Sequence, residues 1–306
     1  GALLFAVYNH WKPVYFATTT EEVIVTVQAE AFKTPTNMSE PMHALLSQCM
    51  KYNPEERPSL SDILKSPAYY QLSIRSLRYL GLLATKDPAD RYNFFQGIVQ
   101  SLPLFSQRLL EYNLLPPFVE ELKNNDNYGP VLIPVIFKIG SKMSSDDFMN
   151  SIIRQLPNIF LKFDPPGTAI ATLQHLEIII QKVPEDLQYK LLYPLFIGSL
   201  QSRSKELRDE AIKVIPIMIN TLSESAILTS LLPTLLDFIA NFTEIEMICS
   251  VIYCISKCSE KVNGDKFAYL IMPKLMICWV RQKNNQVASA IIDLLETLTS
   301  SSPTKM

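Results

Sequence analysis

A recurring dipeptide, in which a large apolar residue precedes proline, constrains the fold of this chain more than any other feature. Each example stands at the head of an apolar run with helical spacing. The five examples are Leu115-Pro116, Leu156-Pro157, Tyr193-Pro194, Leu232-Pro233 and Met272-Pro273. From one proline to the next, the sequence number rises by 41, 37, 39 and 40. A period of roughly 40 residues is typical of solenoids built from two-helix repeats of the HEAT or armadillo kind.

One of these repeats, residues 206–242, shows why such units must stack. Its two runs, residues 206–222 and 226–242, carry apolar side chains three and four positions apart, which places them on one face of a helix. Burying one such side chain contributes about 1.5–3 kcal/mol, whereas ordering one residue of backbone costs roughly 1–2 kcal/mol. In a lone hairpin the free energy gained by burial therefore nearly equals the free energy lost by ordering the backbone. Neighbouring hairpins must supply the remaining stability. We predict that residues 206–242 form one helical hairpin between similar hairpins.

The proline inside this repeat leaves two alternatives for where the second helix begins. If the helix begins near Ser230, Pro233 lies in its first turn, where the missing N–H has no helical partner in any case. If it begins near Ser225, Pro233 must kink it. The sequence does not decide between them.

Composition limits the fold class and several functions. The chain has 306 residues, of which 48% are hydrophobic and 19% charged, and only 8 are glycine. Because its valines and isoleucines follow the helical period, we predict an all-α fold. The net charge of -2 argues against a dedicated nucleic-acid binder, which needs a basic surface.

The sequence also bears on membranes and on the compartment. No uninterrupted apolar run reaches the roughly 18 residues that suggest a membrane-spanning helix, so we expect no membrane span. The lack of a secretory signal and the five cysteines without paired spacing favour a reducing, cytoplasmic compartment.

Residues 1–70 do not follow the proline period. An apolar helix is predicted from Glu40 to Tyr52, followed by the sequence NPEERPS and a short helix from Ser59 to Lys65. Ser59 has the character of an N-cap, with Asp62 three positions later. Pro67 ends this helix.

These residues carry a resemblance to a known family. Residues 45–70 resemble the last subdomain of a protein kinase C-lobe, with matches at Pro54, Arg57, Pro58, Leu64 and Pro67. Residues 1–13 resemble the middle of the long central helix of that lobe and the loop after it. A C-lobe end followed directly by HEAT-like repeats resembles the Scy-like pseudokinase family, and residues 92–122 and 208–222 resemble that family's junction and one of its repeats. The branch that the chain resembles is the clathrin-associated one, and the resemblance covers residues 1–306.

The resemblance implies an architecture and a function. Residues 1–70 are expected to be a truncated end of a kinase-like C-lobe, and residues 71–306 a superhelix of about five HEAT-like repeats. The implied function is a non-catalytic protein-binding scaffold in clathrin-linked vesicle traffic. Clathrin coat or adaptor components would be its partners, and nucleic acid would not. The expected location is cytoplasmic, with peripheral association at trans-Golgi or endosomal membranes.

Several parts of the kinase pattern are missing from this chain. It has no glycine-rich loop, no His-Arg-Asp, no Asp-Phe-Gly and no Ala-Pro-Glu motif. Phosphoryl transfer needs a lysine, a metal-binding aspartate and a base held together, so we expect no catalysis and no cofactor. The alternative is that the chain is a fragment of a kinase-like protein that binds ATP through an intact N-terminal part. The first residue is Gly, and the repeat pattern stops after one helix near residue 298, so we expect a partial chain.

Arg57 raises a related question. In a complete kinase lobe the equivalent arginine pairs with the glutamate of Ala-Pro-Glu, which this chain lacks. Arg57 is therefore expected either to have lost its partner in a fragment or to use another carboxylate, such as Glu55 or Glu56.

No residues assemble by spacing into a catalytic, cofactor or metal site. Cys249, Cys254 and Cys258 share one predicted helix without a nearby histidine, and we interpret them as core residues. The three histidines, His10, His43 and His175, are isolated. The pair Asp146-Asp147 follows two serines and marks a helix start.

A basic segment is the remaining candidate for binding. Residues 257–283 contain six basic residues (Lys257, Lys261, Lys266, Lys274, Arg281 and Lys283) and two acidic ones (Glu260 and Asp265), a local charge of +4. Such a segment could bind anionic lipid or an acidic segment of a partner. The alternative is a solvated edge of the repeat stack.

Overall fold

The computed structural model describes residues 1–15, 19–29, 38–262 and 264–301, and it describes residues 264–266, 300 and 301 only in their backbone. Within these ranges the chain forms helices and turns and contains no β-strand, so the all-α prediction is confirmed. The chain divides into two compact units. The first comprises Gly1–Arg91 and Gln100–Phe105, and the second comprises Tyr92–Val99 and the chain from Ser106 onward. The predicted division into a kinase-lobe end (1–70) and a repeat solenoid (71–306) stays a prediction.

Short helices build the first unit, and capping residues define some of their ends. Ser59 and Asp62 form a reciprocal cap at the start of one helix, as predicted. The Asp62 N–H donates to the Ser59 hydroxyl over 3.2 Å, and the Ser59 N–H donates to the Asp62 carboxylate over 3.1 Å. The helices are α1 (Ala2–Tyr8), α2 (Thr20–Gln28), α3 (Glu40–Cys49), α4 (Leu60–Lys65) and α5 (Leu72–Gly81), with 3-10 turns at Pro54–Glu56, Pro67–Tyr70, Leu83–Thr85 and Leu102–Leu104. Helix α6 (Pro88–Ile98) begins in the part of the chain assigned to the first unit and ends in the part assigned to the second.

The second unit is a series of helical hairpins, each with a first and a second helix. Before the regular series lie α7 (Gln107–Leu109) and α8 (Leu115–Asn124). The first helices are α9 (Gly129–Gly140), α11 (Pro166–Gln174) with α12 (Leu176–Lys182), α14 (Lys205–Lys213) with α15 (Ile215–Ile219), α18 (Ile245–Ser259) and α20 (Asn285–Ser301). The second helices are α10 (Ser145–Phe148) with its π-helical continuation, α13 (Glu185–Leu200), α16 (Glu224–Ala226) with α17 (Leu232–Asn241), and α19 (Gly264–Gln282).

Neighbouring hairpins pack through their first helices. Helices α9, α11, α14, α18 and α20 contact one another in this order. The hairpin predicted at residues 206–242 is confirmed, because α14 contacts both α11 before it and α18 after it. Leu207 and Leu235, one from each helix of this hairpin, are fully buried.

A glycine allows close approach inside the first of these hairpins. Gly140 ends α9 opposite the second helix. A Cβ atom at this position would lie 2.7 Å from the side chains of both Phe148 and Ile152. Because real Cβ contacts are longer than this, any larger residue would push the two helices apart.

Three of the five repeat prolines follow a π-helical turn. These turns are Leu110–Leu114, Met149–Ile153 and Ile227–Leu231, and they precede Pro116, Pro157 and Pro233. Proline cannot donate an N–H, and its ring clashes with the carbonyl four positions earlier. At Pro116 and Pro233 a wider turn just before the proline accommodates both effects, whereas Pro157 begins a separate 3-10 turn, Pro157–Phe160, after the helix has ended.

The other two prolines correct the prediction that every one stands at the head of a helix. Pro194 and Pro273 lie inside α13 and α19, well after the first turn of each. An internal proline costs about 3 kcal/mol or more. Burial of the flanking residues offsets this cost, since Leu192 and Leu195 around Pro194 are almost fully buried.

The structure also decides between the two alternatives for Pro233. The second helix begins at Glu224, where the Ser223 hydroxyl accepts the N–H of Ala226 over 3.2 Å. The helical path therefore starts long before Pro233. The helix that contains Pro233 has a π-helical turn, Ile227–Leu231, just before the proline, and the kink expected in that case stays a prediction.

Substitution of a core leucine tests this packing. Leu235 is fully buried in α17, so Leu235→Asp places a carboxylate in an apolar environment. We expect a loss of stability at least as large as the about 2–5 kcal/mol typical of Leu→Ala, seen as a lower melting temperature by circular dichroism. Asp237→Asn, which changes an exposed residue of the same helix, is the control and should change stability by less than about 0.5 kcal/mol. A wild-type melt for Leu235→Asp would place this residue outside the core.

Candidate partner-binding surface

The isolated histidines do not gather into a chemical site. His175 has a structural role, because its Nδ1 atom lies 2.8 Å from the carbonyl oxygen of Ala171 and its ring stacks on Phe137 at 5.8 Å. Among the residues that the structure describes, no group of three or more His, Cys, Asp or Glu could hold a metal ion. No described helix is both long and apolar enough to cross a membrane.

The cysteines of α18 occupy the core. Cys254 and Cys258 are buried, whereas Cys249 is partly exposed. The Cys254 thiol donates to the carbonyl oxygen of Ile212 in α14 over 3.6 Å, so it contributes to packing between hairpins. Burial raises the pKa of both Cys254 and Cys258 to about 12. This placement agrees with their interpretation as core residues.

These pKa values predict slow alkylation and a change of stability in alkaline solution. A thiol reacts as its thiolate, so at pH 8 iodoacetamide should label neither Cys254 nor Cys258 in the folded chain and both in guanidinium. Above pH 9 the unfolded thiols lose protons that the folded thiols keep. The free energy of unfolding should therefore fall as pH rises from 9 toward 12, and these two groups should not affect it below pH 8.

Mass spectrometry of labelled peptides measures the first effect, with the partly exposed Cys49 as the internal comparison. Labelling of Cys258 in the folded chain as fast as in the unfolded chain would contradict its burial.

Arg57 does not use the carboxylates proposed for it. Its Nε atom donates to the carbonyl oxygen of Lys51 over 2.8 Å, and one Nη atom donates to that of Tyr52 over 3.2 Å. The described contacts of Arg57 are thus backbone carbonyls just after the end of α3, and the expectation of a pairing with Glu55 or Glu56 is wrong. A cation near a helix C-terminus satisfies carbonyls that have no helical partner.

Part of the basic segment has partners inside the repeat stack. Lys257 forms an ion pair with Glu260 at 2.7 Å. The Nζ atom of Lys261 donates to the carbonyl oxygens of Asn220 over 2.8 Å and Leu222 over 3.5 Å, both at or just past the end of the preceding first helix. The side chains of Asp265 and Lys266, also counted in this segment, lie outside the described residues.

Arg281 is engaged in the same way at the end of a second helix. Its guanidinium donates to the carbonyl oxygens of Ile239 over 2.9 Å and Phe242 over 2.6 Å, and also to that of Ala240. These carbonyls belong to the last turn of α17 and to its C-cap. Lys261 and Arg281 therefore cap helices of the preceding hairpin, and the charge of +4 overstates the charge available to a ligand.

The capping role of Arg281 can be separated from its charge. Arg281→Met removes the donors to the end of α17 and should reduce stability by about 1–3 kcal/mol. Lys274→Met removes the same charge from an exposed position of the same helix and should cost less than about 0.5 kcal/mol. Urea unfolding of both variants measures the difference. Equal midpoints would contradict the capping role.

A cleft of about 300 Å³ opens between consecutive second helices. Its walls come from the C-terminal end of α13, from α14, and from α17 with its C-cap. The lining residues are Leu200, Gln201, Ser202, Arg208, Thr234, Asp237, Phe238, Asn241 and Phe242.

Arg208 forms the fixed side of this cleft. One Nη atom donates to the carbonyl oxygens of Ser202 over 2.8 Å and Arg203 over 2.9 Å, and the guanidinium lies 5.0 Å from the ring centre of Phe242. Its buried Nε atom has no hydrogen-bond partner among the described residues. The charge of Arg208 is thus committed mainly to the end of α13.

The other groups of the cleft suit a protein side chain. Asp237 supplies an exposed carboxylate in mid-helix, and the half-buried Phe242 supplies apolar surface beside it, whereas Phe238 is buried beneath. A lysine or arginine of a partner could place its aliphatic stem along the exposed part of Phe242 and its charge near Asp237. The volume is at the lower end of the range for ligand pockets.

Sequence reasoning did not identify this cleft. The available signal was that Asp237 is the single charged residue in residues 226–242. A single acid in an apolar run is either buried beside a partner that neutralises its charge or exposed on the surface of the helix, and Asp237 is exposed. The second wall, at the end of α13, belongs to the preceding hairpin and is brought close only by stacking.

Comparison with known proteins identifies relatives over most of the chain. No protein-family model matches it. It is 20% identical to "SCY1-like protein 2" of Homo sapiens over 86% of this chain and 29% of that protein. It is 21% identical to "Probable inactive serine/threonine-protein kinase scy1" of Dictyostelium discoideum over 80% of this chain and 30% of that protein. The chain thus spans about three tenths of the length of these relatives.

A solved structure shares the fold. The crystal structure of Cex1p superposes on 88% of this chain and 53% of its own, with a TM-score of 0.65 at 15% identity.

Proposed function

We propose that this chain is a non-catalytic protein-binding scaffold of the Scy-like pseudokinase type, the family that its motifs and its relatives resemble. The observation that carries the proposal is the cleft between α13 and α17, which offers the exposed carboxylate of Asp237 beside the half-buried ring of Phe242 on the surface of a repeat stack. Stacked helical repeats commonly bind proteins along such surfaces.

The absence of catalysis is part of the proposal. The 306 residues contain none of the motifs that hold ATP, metal and base in a kinase. The name of the Dictyostelium relative, a probable inactive kinase, supports the same assignment.

We extend the proposal to clathrin-linked vesicle traffic. The partners would be coat or adaptor components, and the location would be the cytoplasm with peripheral association at trans-Golgi or endosomal membranes. The support for this part is the family resemblance of the sequence, and the cleft contributes only a surface that could accept a basic side chain of such a partner.

Capture from cytosol tests the scaffold and its surface together. The full chain is immobilised, and bound proteins are quantified by mass spectrometry for the wild type, Asp237→Lys and Asp293→Lys. Both variants change an exposed aspartate in mid-helix by the same charge, but Asp293 lies on the first helix α20 and lines a separate cleft against α18.

We expect coat and adaptor components to be enriched by the wild type and by Asp293→Lys, and reduced at least tenfold by Asp237→Lys. Enrichment of other proteins with the same dependence on Asp237 would retain the scaffold and overturn the clathrin assignment. Equal capture by both variants would remove the cleft from the binding surface.

A further inference from the structure

Two side-chain amides line the cleft that contains Asp237, and the fold uses neither of them. Gln201 is the C-cap residue of α13, and Asn241 is the last residue of α17. Both residues are exposed, and neither side chain forms a hydrogen bond with any residue of the described ranges. Their amide oxygens and NH2 groups are therefore available to a ligand in the cleft.

The two amides occupy equivalent positions in successive repeats. Asn241 follows Gln201 by 40 positions, which is the interval of the repeat. Gln282 ends α19 at the next equivalent position, but its Nε2 atom donates to the carbonyl oxygen of Phe242 over 3.2 Å. Stacking thus uses the amide of Gln282 and leaves those of Gln201 and Asn241 to a ligand.

The cleft lies inside the repeat stack and not at its end. The hairpin of α13 has neighbours on both sides, because its first helix α11 contacts α9 and α14. The hairpin of α17 likewise has neighbours on both sides, because its first helix α14 contacts α11 and α18. A repeat added after α20 would therefore pack against neither wall of this cleft.

The hydrogen-bonding capacity of the amides indicates an extended main chain as the ligand. Each side-chain amide carries two N–H donors and an acceptor oxygen, which match the C=O and N–H of a peptide group. A helix uses these main-chain groups internally, so a helical ligand would leave both amides without partners. An extended segment keeps its N–H and C=O groups free along its edges.

The separation of neighbouring helices sets the length of such a segment. Packed helices lie about 8–10 Å apart, and an extended chain advances about 3.3 Å per residue. About three residues of a ligand would therefore reach from the amide of Gln201 to that of Asn241. The cleft of about 300 Å³ has room for a side chain of the segment between them.

The charge of the cleft indicates which side chain the segment carries. Asp237 lies one helical turn before Asn241, so their side chains are neighbours on one face of α17. The Asp237 carboxylate forms no ion pair or hydrogen bond with the residues that the structure describes. A main chain bonded to Asn241 would thus place one of its side chains beside a free carboxylate. An arginine there could form a bidentate pair with Asp237, and a lysine would supply the charge alone.

We propose that the cleft binds an extended peptide segment of a partner protein. The amides of Gln201 and Asn241 bind the main chain of this segment, and the Asp237 carboxylate binds a basic side chain. The proposal rests on the proposed scaffold function and names the kind of segment that its cleft accepts.

A short arginine peptide with blocked ends, acetyl-Ala-Ala-Arg-Ala-Ala-amide, serves as the probe. It is titrated into the isotope-labelled full chain, and nuclear magnetic resonance follows the side-chain NH2 signals of Gln201 and Asn241. The variants Gln201→Ala and Asn241→Ala assign these signals by their loss. We expect both signals to shift and to saturate together, with one dissociation constant.

A matched peptide tests the main-chain contacts separately from the arginine side chain. N-methyl groups on the two residues that flank the arginine remove main-chain donors and leave its guanidinium unchanged. This peptide should bind about three- to tenfold more weakly, the loss expected for one or two hydrogen bonds. Asn241→Ala should weaken the parent peptide by a similar factor and should affect the methylated peptide less.

Two further variants test the charge and the location of the site. Asp237→Asn should weaken binding of the arginine peptide about tenfold or more. It should leave unchanged the weaker binding of a peptide with norleucine in place of arginine. Asn124→Ala removes an exposed amide at the end of α8, outside the cleft, and should leave both peptides unaffected. Circular dichroism melts confirm that each variant folds.

Several results would overturn the proposal. One is the absence of a saturable shift of the two amide signals, and another is equal binding of the methylated and parent peptides. Loss of binding with Asp237→Asn but not with Asn241→Ala would reduce the site to a contact with one basic side chain. Capture of partner proteins through Asp237 would remain in each case, so failure here is distinct from failure of the scaffold function.

Discussion

Contact between successive hairpins is the interaction on which the second unit depends. Each first helix from α11 to α18 is covered on both sides by its neighbours in the series, which supplies the apolar burial that a lone hairpin lacks. Polar contacts between successive hairpins recur with the same sequence spacing as the hairpins. Lys182 donates to the carbonyl oxygen of Met143 over 2.6 Å, and Lys261 donates to that of Asn220 over 2.8 Å. In both pairs a lysine near the end of one first helix caps the end of the preceding one, and this removes the cost of leaving terminal carbonyls unpaired.

The prolines show how this dependence shapes the backbone. At Pro116 and Pro233 the π-helical turn leads directly into α8 and α17, so the helix continues past the proline although one hydrogen bond is lost. At Pro157 the helix has already ended, and the proline begins a separate 3-10 turn. Pro194 and Pro273 are accommodated inside longer helices. At Pro194, Pro233 and Pro273 the second helix continues past the proline and buries its apolar face in the stack. The regular interval between the prolines therefore reflects the spacing of the hairpins, whereas the backbone conformation around each proline differs.

The sequence was sufficient to predict the features that depend on residues within one helix or on the repeating pattern of the chain. The hairpin at residues 206–242, the Ser59 cap with Asp62 and the all-α fold were predicted correctly, because apolar period and capping residues act locally. The partners of Arg57 and Arg281 could not be predicted. Both arginines bind carbonyls at helix ends, and which helix end lies within reach depends on folding and on the register between hairpins. The cleft at Asp237 needs two helices that only stacking brings together.

Several basic side chains of the repeats bind groups of the chain itself, and this limits which charges can contact a partner. Lys261 and Arg281 are bound to backbone carbonyls, and Lys257 is paired with Glu260. The net charge of a segment therefore says little about its surface when its basic residues cap the preceding hairpin. The first helices are also largely used by stacking, since those from α11 to α18 contact both the one before and the one after. The outer sides of both layers remain for recognition, with Tyr253 exposed on the first helices and Asp237 and Lys274 exposed on the second helices.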